Sequence, residues 1–237
     1  MSKECEIENL IIIPYRDRKP HLDFFINKTW PILRKNIKKP YLLIVEQTFS
    51  KPFNRGLLIN VGAEIYKDKA NYITMNDVDA NPISEEIFKQ YDAVLDNNQI
   101  LGIMCPPCDT LGCVSKISMT NFHKINGYPN YYYGWGCEDR ALYNRALFYD
   151  LKIDYFMFSN SKNKDEHFIL FNDIDDRQKI NLHQKTVFEY NKFHTLSNTE
   201  KQKYIDDCGV KKSTQPYTII ETQDLAEDIK LIKVNIE

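Results

Sequence analysis

Two carboxylates, Glu138 and Asp139, follow an aromatic stretch in YYYGWGCEDRALYNRALFYD (131–150). Three tyrosines and Trp135 supply flat apolar faces, and Gly134 and Gly136 let the backbone bend beside them. Such a platform next to a carboxylate pair suits gripping a sugar hydroxyl and taking its proton. The same pair also fits the first turn of a helix, where the dipole favours acidic residues, since Leu142, Ala146 and Tyr149 recur at helical spacing. A second acidic pair, Asp77 and Asp79, flanks Val78 just after NYITM (71–75). In extended backbone both carboxylates would point to one side, an oxygen-rich arrangement suited to Mg²⁺ or Mn²⁺ shared with phosphates. As a turn, the same residues would only cap the backbone. A third feature is YRDR (15–18), where Arg16 and Arg18 could hold a diphosphate or a ribose.

These groups need a frame. NLIIIP (9–14), YLLIVE (41–46) and NYITM are short apolar runs rich in β-branched residues, which predicts buried parallel strands. Helical patterns lie between them, over His21–Asn36 with a kink at Trp30–Pro31, and over Phe53–Lys67, where Gly62 would permit close helix–sheet packing. This alternation predicts an α/β fold with a mostly parallel central sheet and flanking helices. In such sheets the ligand crevice lies beyond the carboxyl ends of the strands, which is where YRDR and Asp77–Asp79 fall. Further along, the pattern predicts a helix over Ile83–Tyr91, a short strand at Ala93–Leu95 and an apolar piece at Leu101–Pro107. A helix capped by Ser118 and ended by Asn126–Gly127 and a strand over Lys152–Phe158 come next. The tail reads as polar loop around Ile180–Phe193, then strands at Tyr217–Thr222 and Ile229–Val234. No repeat or low-complexity linker divides the 237 residues, so one domain is expected.

Composition excludes several classes. Lys and Arg number 31 against 33 Asp and Glu, a net charge of −2, which leaves no electrostatic footprint for nucleic acid. No run approaches the roughly 18 apolar residues of a membrane span, and MSKECEIEN lacks the apolar core of a signal peptide. A cytoplasmic setting follows as the expectation, and richness in Asn, Lys and Ile suggests an AT-rich microbial or viral source. The six cysteines have no framework spacing and read as reduced thiols. CPPC (105–108) lacks the second pair that a zinc site needs.

Five blocks in order then carry a resemblance: YRDR, FNRGLLINVG, NDVDANP, GCVSKISMTNFHKINGYPN and YYYGWGCED. Their sequence and spacing, over roughly Ile11–Tyr149, resemble the β-1,4-galactosyltransferase family, whose blocks read P-F-R-x-R, F-N-R-x-x-x-x-N-V-G, D-V-D, G-G-V-S…I-N-G-F-P-N and W-G-W-G-G-E-D. The resemblance implies a GT-A fold, a UDP-sugar donor, Mn²⁺ (or Mg²⁺), and inverting transfer of Gal or GalNAc to a glycan hydroxyl. It implies one catalytic domain over 1–237, with a nucleotide-binding half at about 8–82, an acceptor and sugar half at about 83–170 and a closing segment at 171–237. Pro14, Arg16 and Arg18 would hold the nucleotide, with Phe53 and Arg55 on the uracil and ribose side. Asp77 and Val78 would touch the ribose, and Asp79 would bind the metal. Gly112, Trp135 and Gly136 belong to the sugar-site motifs, Glu138 would bind sugar hydroxyls, and Asp139 would be the general base.

The departures from the family pattern carry their own expectations. A metal histidine is expected some 30 residues past the base, which selects His167 (167 − 139 = 28), with His183 in reserve. The usual Met–x–x–His pair is broken, since Lys164 stands three residues before His167. Thr110 replaces a bulky tyrosine of galactose-specific members, which implies room for a 2-acetamido group. Cys113 and Cys137 replace the second glycines of two sugar-site motifs, and the two loops could meet there. A GT-A module that binds UDP-sugar or glycan without turnover is the alternative from another class, and a chondroitin- or polypeptide-type GalNAc transferase is the alternative enzyme.

Overall fold

The computed structural model describes residues 5–48, 51–134, 136–171, 184–211 and 216–237. The first apolar run forms β1 (Ile7–Tyr15), and its side chains divide by parity. Leu10 and Ile12 enter one core, Ile11 and Ile13 the other, as a strand covered on both faces requires. β2 (Pro40–Gln47) divides likewise, with Leu43 and Val45 on one side and Leu42 and Ile44 on the other.

The rest of the sheet comprises β3 (Ala70–Asn76), β5 (Gln99–Cys105), β6 (Val114–Ser118), β7 (Lys152–Phe158), β9 (Tyr217–Ala226) and β10 (Ile229–Ile236). The eight strands run in the order β7-β5-β6-β3-β1-β2-β10-β9. All except β6 and β9 point the same way. A two-stranded ladder of β4 (Ala80–Pro82) and β8 (Phe168–Leu170) stands apart. Because β2 and β3 flank β1 on opposite sides, the chain reverses direction of travel at β1, and a crevice opens past its carboxyl end.

Helices cover both faces. α1 (Lys19–Phe24), a π-helical turn (Phe25–Thr29) and α2 (Trp30–Asn36) run on from one another, with α4 (Glu85–Asp92) on the same face, burying Phe25, Trp30, Leu33, Ile87 and Tyr91. The expected kink at Trp30–Pro31 takes this form because Pro31 has no N–H for the carbonyl four residues back, and the wider turn absorbs the mismatch. The other face carries α3 (Arg55–Ile65), α5 (Met119–Lys124) and α6 (Glu138–Phe148). Gly62 of α3 lies so close to the sheet that a Cβ would meet Ile12 Cδ1 at 2.9 Å and Leu43 Cδ2 at 3.0 Å, as its place in the pattern suggested.

Two expectations fail. Ala93–Leu95 is no strand but an extended link with Val94 81% exposed; the β-strand of that region begins at Gln99. Of the segment read as polar loop, residues 180–183 lie outside the described residues and the rest forms α8 (Gln184–Thr195), followed by α9 (Asn198–Asp207) and preceded by a short α7 (Lys164–His167). α9 starts in a capping box between Ser197 and Glu200, a signal present in SNTE. The tail strands extend beyond their expected ends, to Ala226 and Ile236. No helix among the described residues is long and apolar enough to cross a membrane.

Candidate active site

The crevice is built from strand ends and helix starts. Beyond β1, Arg16 lies over the Phe53 ring at 5.2 Å and donates to the Lys51 carbonyl at 2.8 Å. Arg18 bonds Asp79 at 3.2 Å, and Pro14 is the residue before the last of the strand. Beyond β3, Asp77, Val78 and Asp79 do not stay extended. The Ala80 N–H donates to the Asp77 carbonyl at 3.0 Å, closing a turn with Val78 buried. Asn76 fixes that turn through Nδ2 bonds to the carbonyls of Asp77 (2.7 Å) and Ala80 (3.0 Å), and accepts from the Tyr91 hydroxyl. The two carboxylates therefore reach different partners instead of one side.

Asp77 turns to Arg55, which starts α3. Arg55 Nε donates to Asp77 Oδ1 at 2.6 Å, and its NH1 donates to Asp139 Oδ1 at 2.5 Å and to the Tyr128 hydroxyl at 3.2 Å. One guanidinium thus ties the acidic turn after β3 to the first turn of α6. Burial opposes the arginine's charge, but Asp139 and Asp77 outweigh it and hold it firmly protonated. Asparagines position this hub. Asn54 caps α3 by accepting from the Leu57 N–H (3.0 Å) and donates to the Asn130 carbonyl (2.8 Å). Asn60 bonds Tyr128 and Asn130 at 2.8–2.9 Å. In the sequence, the recurrence of asparagine in FNRGLLIN and NGYPN is the signal for this role.

Gly112 packs on the other side of Asp139. A Cβ there would lie 2.6 Å from Asp139 Oδ2, so only glycine leaves that oxygen its place. Cys113 and Cys137 both adopt φ 70°, the left-handed region that glycine fills without cost. Both are free thiols. Cys113 lies beside Asp77 and Asp79, whereas Cys137 lies beside Glu138 and Arg140. Thr110 is buried, and its carbonyl accepts from the Tyr155 hydroxyl at 3.0 Å. The Gly134 N–H donates to the Phe53 carbonyl at 2.8 Å and Gly136 takes φ 93°; Trp135 between them lies outside the described residues.

His167, the expected metal histidine, lies apart from Asp79 along the β4–β8 ladder. In the β4–β8 ladder Ala80 pairs with Leu170 and Pro82 with Phe168. The Asp79 carbonyl accepts from the Phe171 N–H, and the His167 carbonyl accepts from the Ile83 N–H. His167 therefore stands four residues (171 − 167) back from the level of Asp79, about 13 Å of strand. Its ring is engaged by the Ser84 hydroxyl at 2.7 Å and Asn163 at 3.3 Å, with Glu86 at 3.7 Å. His183 lies outside the described residues.

Two buried polar atoms of the site residues, Arg55 NH2 and Glu138 Oε2, have no hydrogen-bond partner among the described residues. Burial, and then the charge of Asp139, push the Glu138 carboxyl up to about 8. Burial also raises Asp139, against the pull of Arg55. The folded state thus holds the Glu138 proton more tightly than the unfolded chain, where 4.5 is the ordinary value. The stability this provides is complete below about pH 4.5 and is lost as pH rises through about 8. Glu138→Gln removes that dependence, so between about pH 5 and pH 9 the wild-type melting temperature should fall more steeply than the variant's. Parallel melting curves would show that Glu138 is already ionised.

Known proteins resemble this chain. A model of the N-terminal region of glycosyl transferase group 7 matches residues 2–92, and one of the N-terminal domain of galactosyltransferase matches residues 101–168. β-1,4-Galactosyltransferase 6 of Rattus norvegicus is 36% identical over 145 residues, 57% of this chain and 37% of that protein. β-1,4-Galactosyltransferase 1 of Bos taurus is 34% identical over 149 residues, 60% and 37% of the two chains. The chain thus matches about 37% of the length of these relatives. Among solved structures, the catalytic domain of Drosophila β-1,4-galactosyltransferase 7 in complex with xylobiose superposes with a TM-score of 0.76 at 20% identity, covering 98% of this chain and 94% of that one. A mutant of that protein in complex with manganese, UDP-Gal and xylobiose gives 0.73 over the same coverage, again at 20% identity.

Proposed function

Because the chain belongs to the β-1,4-galactosyltransferase family, glycosyl transferase group 7, we propose that it is a metal-dependent, inverting glycosyltransferase. It moves galactose or N-acetylgalactosamine from a UDP-sugar to a hydroxyl of a glycan acceptor. The observation that carries this reading is the Arg55 bridge. In a GT-A fold, it joins the acidic turn of the donor side to the carboxylate that would serve as base, across one crevice.

In this reading Phe53 and Arg16 present a flat and a cationic surface to the uracil and ribose. Pro14 fixes the strand end before Arg16, Val78 closes the ribose side, and Arg18 exchanges Asp79 for a diphosphate oxygen. Trp135 and Gly136 border the donor sugar. Glu138, protonated near neutrality, donates to a sugar oxygen and satisfies its orphaned atom. Asp139 accepts the proton of the attacking acceptor hydroxyl through Oδ2, while Arg55 keeps Oδ1 pinned and the carboxylate ionised. The small Thr110 favours a donor with a 2-acetamido group.

The metal fits one mode of binding. No three His, Cys, Asp or Glu side chains among the described residues could enclose an ion. Mn²⁺ or Mg²⁺ commonly sits on one or two carboxylates and completes its shell with substrate phosphates and water, and Asp79 suits that role. The ion would offset charge gathering on the departing diphosphate. His167 remains tied to Ser84 and Asn163 and is not needed for this arrangement. A reducing compartment such as the cytoplasm suits six free cysteines.

The test is UDP release from a panel of UDP-sugars with Mn²⁺ and with EDTA. Release with one donor, abolished by EDTA, is expected. Absence of both binding and release with every donor would overturn the enzyme reading and leave a non-catalytic module.

A further inference from the structure

We propose that Arg140 selects an acceptor carrying an anionic substituent, a carboxylate, sulfate or phosphate next to the hydroxyl that is glycosylated. The inference rests on Asp139 acting on the acceptor side. Arg140 follows that residue directly, on the first turn of α6, and is exposed.

Its surroundings differ from those of Arg18 and Arg55. Arg18 is neutralised by Asp79, and Arg55 by Asp77 and Asp139. Arg140 instead reaches the Cys108 thiol on the loop after β5, with Tyr190 of α8 and Cys137 as its other polar neighbours. Among the described residues, no carboxylate pairs with it. The nearest candidate on the same loop, Asp109, is taken by the Tyr143 hydroxyl one helical turn further along α6. Asp139 itself is bound to Arg55.

The result is an exposed guanidinium with spare donors, next in the chain to the base, near the loop after β5 and α8. α8 is itself fastened to the crevice wall, since the Thr186 hydroxyl bonds the Tyr133 backbone twice at 3.0 Å. A planar cation with unused N–H groups suits bidentate recognition of an oxyanion. Tyr190, in its neighbourhood, offers an aromatic ring to the apolar face of a sugar. A neutral acceptor would leave that charge unanswered.

The experiment compares matched acceptors with the full chain, its donor and Mn²⁺: a p-nitrophenyl glucoside, the corresponding glucuronide, and the glucoside 6-sulfate and 6-phosphate. Wild type should favour at least one anionic acceptor over the neutral one by about tenfold in kcat/KM, and the best of the three names the substituent. That ratio should fall about tenfold in Arg140→Gln, through KM, and invert in Arg140→Glu, while Arg140→Lys keeps most of it. A ratio that is the same in wild type, Arg140→Gln and Arg140→Glu, or a wild type that prefers the neutral glucoside, overturns the proposal. Saturation-transfer NMR of the glucuronide with UDP present reads binding without turnover. Binding lost in Arg140→Glu, with no UDP release from any acceptor, would overturn the catalytic reading and keep this one.

Discussion

Asp139→Asn is expected to lower transfer by about 10³-fold while leaving UDP-sugar binding in place. Each oxygen of this carboxylate has a distinct task. Oδ1 accepts from Arg55 at 2.5 Å, and Oδ2 lies where the missing side chain of Gly112 would be. An asparagine keeps the shape, and its carbonyl can still accept from Arg55. The atom facing Gly112 then becomes an amide nitrogen, which cannot take a proton from an acceptor hydroxyl. Stability should change little, because Arg55 retains Asp77 at 2.6 Å. The checks are UDP release, equilibrium binding of UDP with Mn²⁺, and thermal unfolding of both proteins. Retained turnover with retained binding would move the base to another group, Glu138 first. Lost binding would show that the substitution had disturbed the donor side, and Asp139 could then not be separated from it.

How much of this site was legible in the sequence depends on the range of the interactions. Strand runs such as NLIIIP were readable because burial on both faces demands continuous apolar residues. Their position in turn placed Arg16, Arg18, Asp77 and Asp79 at strand ends. The Ser118 cap was readable because a few neighbouring residues decide it, and Gly62 because a glycine inside a helical pattern signals close packing, here against Ile12 and Leu43. The partnership of Arg55 was not, because it joins residues 22 and 84 positions away, and a local pattern does not encode which acid a buried arginine will find. His167 is the converse case. Its spacing along the chain suits a ligand, but register within the β4–β8 ladder decides which residue stands level with Asp79, and that residue is Phe171. Which of the two readings of Asp77–Asp79 holds was not legible, because Asn76, which bends the turn, acts through side-chain bonds. Cys113 and Cys137 were recognised as glycine positions, and the left-handed backbone at both is the physical content of that pattern.

The hub itself supplies the second large effect. Arg55→Leu removes the shared partner of two carboxylates, one of them with a side chain only 22% exposed. Breaking a buried pair by deleting one member costs about 3–5 kcal/mol, because the charge left behind has neither water nor counterion. Asp77 is 32% exposed and can recover some solvation, so the low end, about 3 kcal/mol, is expected. For a domain of this size that lowers the melting temperature by about 6–12 °C. Function should fall further than stability. Burial already raises the Asp139 carboxyl and Arg55 is the main influence opposing it, so its loss raises that group again. A base must be ionised to act, and the acid limb of the pH–rate profile should therefore move to higher pH. Activity lost at neutral pH should return in part as the medium becomes alkaline. Arg55→Lys keeps a positive charge but not a planar fork able to hold two acids at once, so it should shift the limb less while lowering the maximum rate. A drop in melting temperature with no movement of the limb in either variant would mean that Arg55 only braces α3 against α6. A limb that moves in Arg55→Leu and largely returns in Arg55→Lys identifies the guanidinium as the group that keeps Asp139 ready to accept a proton.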